Sequence, residues 1–174
     1  PSILTAVPLQ ATPAAEFLGF TLTEGVLTWL GTLTIVVLIA LSAFFSSSEI
    51  ALFSLPSHRI DALVEEGLPG ADTVASLKED PHRLLVTILV GNNIVNIAMS
   101  SIATGVLAFH VSQGQAVAIA TFGITAIVLL FGESAPKSYA VENTESWSRR
   151  VAKPLKYSEY LLLPLVVTFD YLTR

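Results

Sequence analysis

Three stretches of the chain are built almost entirely of Val, Ile, Leu, Ala, Phe and small residues: Val26 to Phe45, Leu84 to Phe109 and Gln115 to Gly132. A helix rising 1.5 Å per residue needs about 20 apolar residues to cross about 30 Å of hydrocarbon, and each stretch comes close to that, the third at the short end. The pattern therefore predicts an all-α membrane protein with three transmembrane helices. Between the first two stretches, residues 57–83 are polar and broken by Leu68-Pro69-Gly70 and Asp80-Pro81, turn and helix-start chemistry that predicts short helices outside the bilayer.

After the third stretch the pattern changes. From Trp147 to Tyr171 basic residues alternate with Val151, Leu155, Tyr157, Leu161 and Leu162, which predicts an amphipathic juxtamembrane helix lying along the membrane surface. Its apolar run 161–169 is too short to cross; a fourth span kinked at Pro164 is the alternative. The expected organisation is a lead over residues 1–24, a three-helix transmembrane domain over 25–146 with the loop 57–83, and the juxtamembrane helix over 147–174.

Composition agrees with lipid as the solvent. Of 174 residues 52% are hydrophobic and 13% charged, with a mean hydropathy of +0.67, whereas a soluble domain carries roughly a quarter charged residues. The absence of cysteine excludes disulfides, thiolate zinc and iron–sulfur centres. Charge then sets orientation. All nine Lys and Arg fall in two blocks, Arg59, Lys78 and Arg83, and Lys137, Arg149, Arg150, Lys153, Lys156 and Arg174. Short loops rich in Lys and Arg stay in the cytoplasm, so the loop 57–83 and everything after Lys137 is expected inside, with the N-terminus and the link near His110 to Gly114 outside. The lead lacks the basic segment of a signal peptide.

An ionisable group inside hydrocarbon costs roughly 2.5–3.5 kcal/mol even on the lenient insertion scale, so each one requires a reason. Glu49 and Glu133 are the two acids near the spans, accompanied by Ser42, Ser46, Ser47 and Ser48 in the first and Asn92, Asn93 and Asn96 in the second. Ser42 and Ser46 are four apart and share a helix face, as do Asn92 and Asn96. Gly91 permits close backbone approach, and Pro136 cannot donate to the Gly132 carbonyl, which predicts a broken helix end at Gly132 to Pro136. Measured along ideal helices, Asn92 and Asn96 lie ~12–18 Å from Leu84, Ser46 ~15 Å before Pro56 and Glu133 ~6 Å inside Lys137, so all occupy the inner half. Hydroxyl, amide, backbone carbonyl and carboxylate are hard donors of the kind Mg²⁺, Ca²⁺ or Na⁺ prefers. The plainer readings are serines bonded back to their own helix, asparagines joining helices, a Glu49 that is solvated, and a Glu133 paired with Lys137.

The strings Leu41-Ser42-Ala43-Phe44-Phe45-Ser46-Ser47-Ser48-Glu49-Ile50-Ala51-Leu52, Val90-Gly91-Asn92-Asn93-Ile94-Val95-Asn96 and Gly132-Glu133-Ser134-Ala135-Pro136-Lys137 resemble the three signature stretches of the CorC/CNNM (cyclin M) magnesium transporter transmembrane domain. The resemblance covers residues 26–174. It implies a multi-pass protein of the cell membrane, a homodimer of three-span subunits, Mg²⁺ as the transported ion with export coupled to Na⁺ entry, and cytoplasmic CBS modules that bind ATP and follow the membrane domain but are not in this chain. The ligand set it implies is the Ser42 and Ser46 side chains, the Gly91 carbonyl, Asn92 or Asn96, and Glu133. A passive Mg²⁺ channel and a non-transporting membrane regulator are the competing readings. No HExxH or GxSxG motif is present, and neither enzymatic activity nor a nucleic-acid partner is expected.

Overall fold

The computed structural model of the chain describes residues 15–17 and 20–173; most of the expected lead, and Arg174, lie outside the described residues. A short antiparallel pair, β1 (Ala15–Phe17) with β2 (Phe20–Leu22), precedes a helical body. Its helices are α1 (Glu24–Ser54), α2 (Ser57–Glu65), α3 (Ala71–Lys78), α4 (Pro81–Leu107), α5 (Gln113–Ile127), α6 (Ala135–Glu142), α7 (Thr144–Leu161) and α8 (Leu163–Thr173). A π-helical segment, Val128–Ser134, joins α5 to α6 without interruption. Three helices are long and apolar enough to cross a membrane: Glu24–Ser54, Pro81–Leu107 and Gln113–Glu142.

Local sequence explains where these helices begin. Pro81 opens α4 where a missing N–H costs nothing, and the Asp80 carboxylate accepts from the Arg83 N–H at 3.0 Å. At the start of α5, Gln115 Oε1 accepts from the Ser112 N–H at 3.3 Å and from the Ser112 hydroxyl at 2.9 Å. The far end of α1 is capped from another element: Lys78 Nζ donates to the Leu52 carbonyl at 3.0 Å and the Leu55 carbonyl at 2.9 Å, placing a cation on the negative end of the helix.

The dense core sits at that end. Leu52, Leu55, Ile60, Leu63, Val74, Leu77, Leu84, Ile88, Ala152 and Leu155 form one buried cluster in which α2, α3 and α7 pack under α1 and α4. Apolar faces elsewhere stay open, as at Trp29, Leu33, Ile97 and Phe122, the expected condition of lipid-facing positions. The buried Glu159 carboxylate fastens α7 to α4, held by Arg83 Nε at 2.7 Å and Lys156 Nζ at 3.1 Å. A buried acid flanked by two cations keeps its charge compensated.

Two expectations are revised. The third span does not break at Gly132 to Pro136 but continues to Glu142, because a wide turn absorbs the missing donor of Pro136: the Ala135 N–H reaches back five residues to the Leu130 carbonyl. Nor is Trp147 to Tyr171 one helix. It divides at Leu162, and Pro164 falls in the first turn of α8, where proline is tolerated. With 11 residues α8 is too short to cross. Its Leu165 and Phe169 instead line an apolar groove with Val86, Leu89, Ile94 and Ile97 of α4.

Candidate cation site

The four buried serines of α1 fall into three classes. Ser47 and Ser48 donate to the Phe44 carbonyl of their own helix at 3.1 and 2.6 Å, the back-bonding that hydroxyls in apolar helices commonly adopt. Ser42, fully buried, reaches across to α4, its hydroxyl lying 3.1 Å from Asn92 Oδ1 and 3.1 Å from Asn96 Oδ1. Ser46 is 2% exposed and its Oγ has no hydrogen-bond partner among the described residues. The one-turn spacing thus gives a ladder whose outer rung is bonded and whose inner rung is not.

Ser42 also fixes the third helix. A Cβ on Gly132 would lie 2.8 Å from Ser42 Oγ, so only glycine lets the π-helical segment come this close. On the opposite side a Cβ on Gly91 would meet the Phe45 ring at 2.5 Å, so α1 and α4 approach through a ring laid on bare backbone. Glu133, next to Gly132, shares a cavity of about 250 Å³ with Asn96, Ser100, Thr121 and Thr125 and the apolar side chains Ile124 and Val128. Its carboxylate has no hydrogen bond or ion pair among the described residues. Lys137, one turn further on, instead pairs with Glu49 of α1 at 3.2 Å. The pairing of Glu133 with Lys137 weighed from sequence is therefore not made.

Ser42, Asn92 and Asn96 are joined directly; Asn96 and Glu133 share a cavity; Ser46 lies one turn along from Ser42; Gly91 lies against Phe45. Among the described residues no three His, Cys, Asp or Glu gather as a metal cluster, so the donors are neutral oxygens with one carboxylate beside them. Ser100, Thr121 and Thr125 are neighbours of the site that the sequence reading did not include. A signal existed in the spacing, since Ser100 continues the i, i+4 row of Asn92 and Asn96, and Thr121 and Thr125 are themselves four apart.

Residues 33–174 match the family described as the cyclin M transmembrane N-terminal domain. Among curated relatives, a UPF0053 protein of Haemophilus influenzae is 39% identical over 147 residues, covering 83% of this chain and 35% of that protein. The UPF0053 inner membrane protein YfjD of Escherichia coli is 34% identical over 134 residues, 77% of this chain and 31% of the relative. A polyamine export protein of Escherichia coli is 28% identical over 154 residues, 82% of this chain and 34% of the relative. The chain thus spans about a third of the length of these three relatives. Three apolar helices meeting at Ser42, with the family pattern running through all of them, make this chain a member of the cyclin M transmembrane domain family.

Proposed function

We propose that this membrane domain carries Mg²⁺ across the cell membrane, exporting it in exchange for Na⁺, with Ser42, Ser46, Asn92, Asn96, the Gly91 carbonyl and Glu133 supplying its oxygen ligands. The observation that carries the reading is the meeting of Ser42 Oγ with two amide oxygens at 3.1 Å each. One hydroxyl hydrogen cannot serve both acceptors well, so lone pairs converge on one point. Adjacent ligands of an octahedral Mg²⁺ at 2.0–2.1 Å are separated by about 2.9 Å, so a small contraction would make Ser42 Oγ a cis neighbour of each amide oxygen. The unpartnered Ser46 Oγ is a further donor, and Glu133 supplies the negative charge that neutral oxygens lack when a divalent ion sheds water.

Coupling follows from the potential. Moving a divalent cation out of an inside-negative cell costs ~4.6 kcal/mol per 100 mV, and inward Na⁺ is a downhill source of comparable size. The test is Mg²⁺ flux in proteoliposomes with and without an opposing Na⁺ gradient. Flux of equal size in both excludes exchange and favours the passive channel, and no flux in either leaves the regulator reading.

The same cavity supports a second cargo. A single carboxylate beside the apolar side chains Ile124, Val128 and Leu129 suits an alkylammonium as well as a metal ion, and one relative is a polyamine export protein. Competition separates the two: spermidine that displaces Mg²⁺ in wild type and in Ser42→Ala, but not in Glu133→Gln, favours the amine.

A further inference from the structure

At the end of the bundle where α1 terminates, the turn between α2 and α3 lies against the first half of α7 and encloses a pocket of about 350 Å³ lined by Pro69, Gly70, Ser146, Arg149, Arg150 and Lys153. We infer that this pocket binds a phosphate group, presented by an anionic phospholipid headgroup or by free phosphate.

The wall is built for an anion. Ser146, Arg149, Arg150 and Lys153 are spaced i, i+3, i+4, i+7 and share one face of α7, while Ser148, Val151, Ala152 and Leu155 are buried on another. Gly70, at φ 88°, turns the loop onto this face, and a Cβ there would lie 2.5 Å from the Arg149 carbonyl oxygen, so the docking requires glycine. Arg149 Nη1 donates to the Pro69 carbonyl at 3.4 Å, whereas its Nε is buried without a partner among the described residues. The nearby acid, Glu145, is engaged by Arg59 Nε at 2.6 Å and Nη2 at 3.0 Å and offsets Arg149 only in part. No acidic side chain lines the pocket, and Arg150 and Lys153 stay exposed at its rim. A guanidinium with an idle donor flanked by two exposed cations matches the shape and charge of a phosphate.

Trp147, beside Ser146, supplies the readout in a Trp29→Phe background. The purified chain in uncharged detergent is titrated with inorganic phosphate, with dihexanoyl phosphatidylglycerol and with dihexanoyl phosphatidylcholine. Saturable binding of phosphate or phosphatidylglycerol is expected, weakened about thirtyfold by Arg150→Gln with Lys153→Gln and similarly by Ser146→Glu. Binding of phosphatidylglycerol alone identifies a lipid as the source, and binding of both shows that phosphate suffices. The inference is overturned if neither binds, if phosphatidylcholine binds equally well, or if the double variant binds like the parent.

Discussion

At the scale of single residues, Ser46 separates ligand from scaffold. A buried hydroxyl without a partner costs about 1–3 kcal/mol, so Ser46→Ala should leave thermal stability unchanged or raise it while Mg²⁺ affinity falls at least tenfold, roughly the loss of one coordinating group. A serine serving only the fold would show the reverse, and calorimetry beside thermal unfolding distinguishes them. Glu133→Gln preserves shape and removes the one carboxylate of the cavity, so binding and flux should both fall while insertion is unchanged; wild-type affinity in this variant would end its assignment as a ligand. Gly91→Ala differs in kind. Its Cβ meets the Phe45 ring, so a loss of about 1–3 kcal/mol in thermal unfolding is expected, relieved by Phe45→Leu in the same chain. That Asn92 and Asn96 share one face, which Ser42 meets, was legible in the sequence because the four-residue spacing follows from helix periodicity. The sorting of four serines into back-bonded, cross-bonded and unpartnered was not, since it depends on where α4 lies.

Among the elements, the helices packed beneath the spans are joined by ion pairs whose pH response has a definite sign. Glu145 lies below its usual 4.5, chiefly because the Arg59 guanidinium donates to it and secondarily through their mutual attraction. A carboxylate whose folded pKa is depressed contributes stability fully above its unfolded value, and that contribution is lost as pH falls through the lower folded value. Thermal unfolding followed downward from pH 4.5 should therefore fall more steeply in wild type than in Glu145→Gln. The existence of α2 and α3 could be read from the turn chemistry around Leu68-Pro69-Gly70. The division at Leu162 could not, because an apolar run too short to cross fits a surface helix and a helix laid beside α4 equally well.

For the whole molecule, the distribution of basic residues gives one topology with a simple readout, because the chain has no cysteine of its own. A cysteine at His110, in the link before α5, should react with an impermeant maleimide added to intact cells, and one at Ser76, on α3, only after the membrane is opened. The opposite pattern would invert the molecule and with it the direction of loading. Three crossings were legible because about 20 apolar residues are an unambiguous length signal. The continuity of the third was not, because Pro136 argues for a stop unless a wider turn is available.

That wider turn has a consequence for register. A π-helical segment holds one more residue than the α-helix it replaces, and each α-helical residue turns the chain by about 100°. The segment Val128–Ser134 therefore shifts the phase of the stripe carried by α6 against that of α5. One rod can show hydrocarbon its Val and Ile side and still bring Lys137 round to Glu49. Deleting a single residue between Val128 and Phe131 would be absorbed by a return to α-helical winding that leaves Glu133 and Lys137 facing as they do, whereas the same deletion within α5 would swing them away by about 100°, so the wide turn is where this span tolerates an indel.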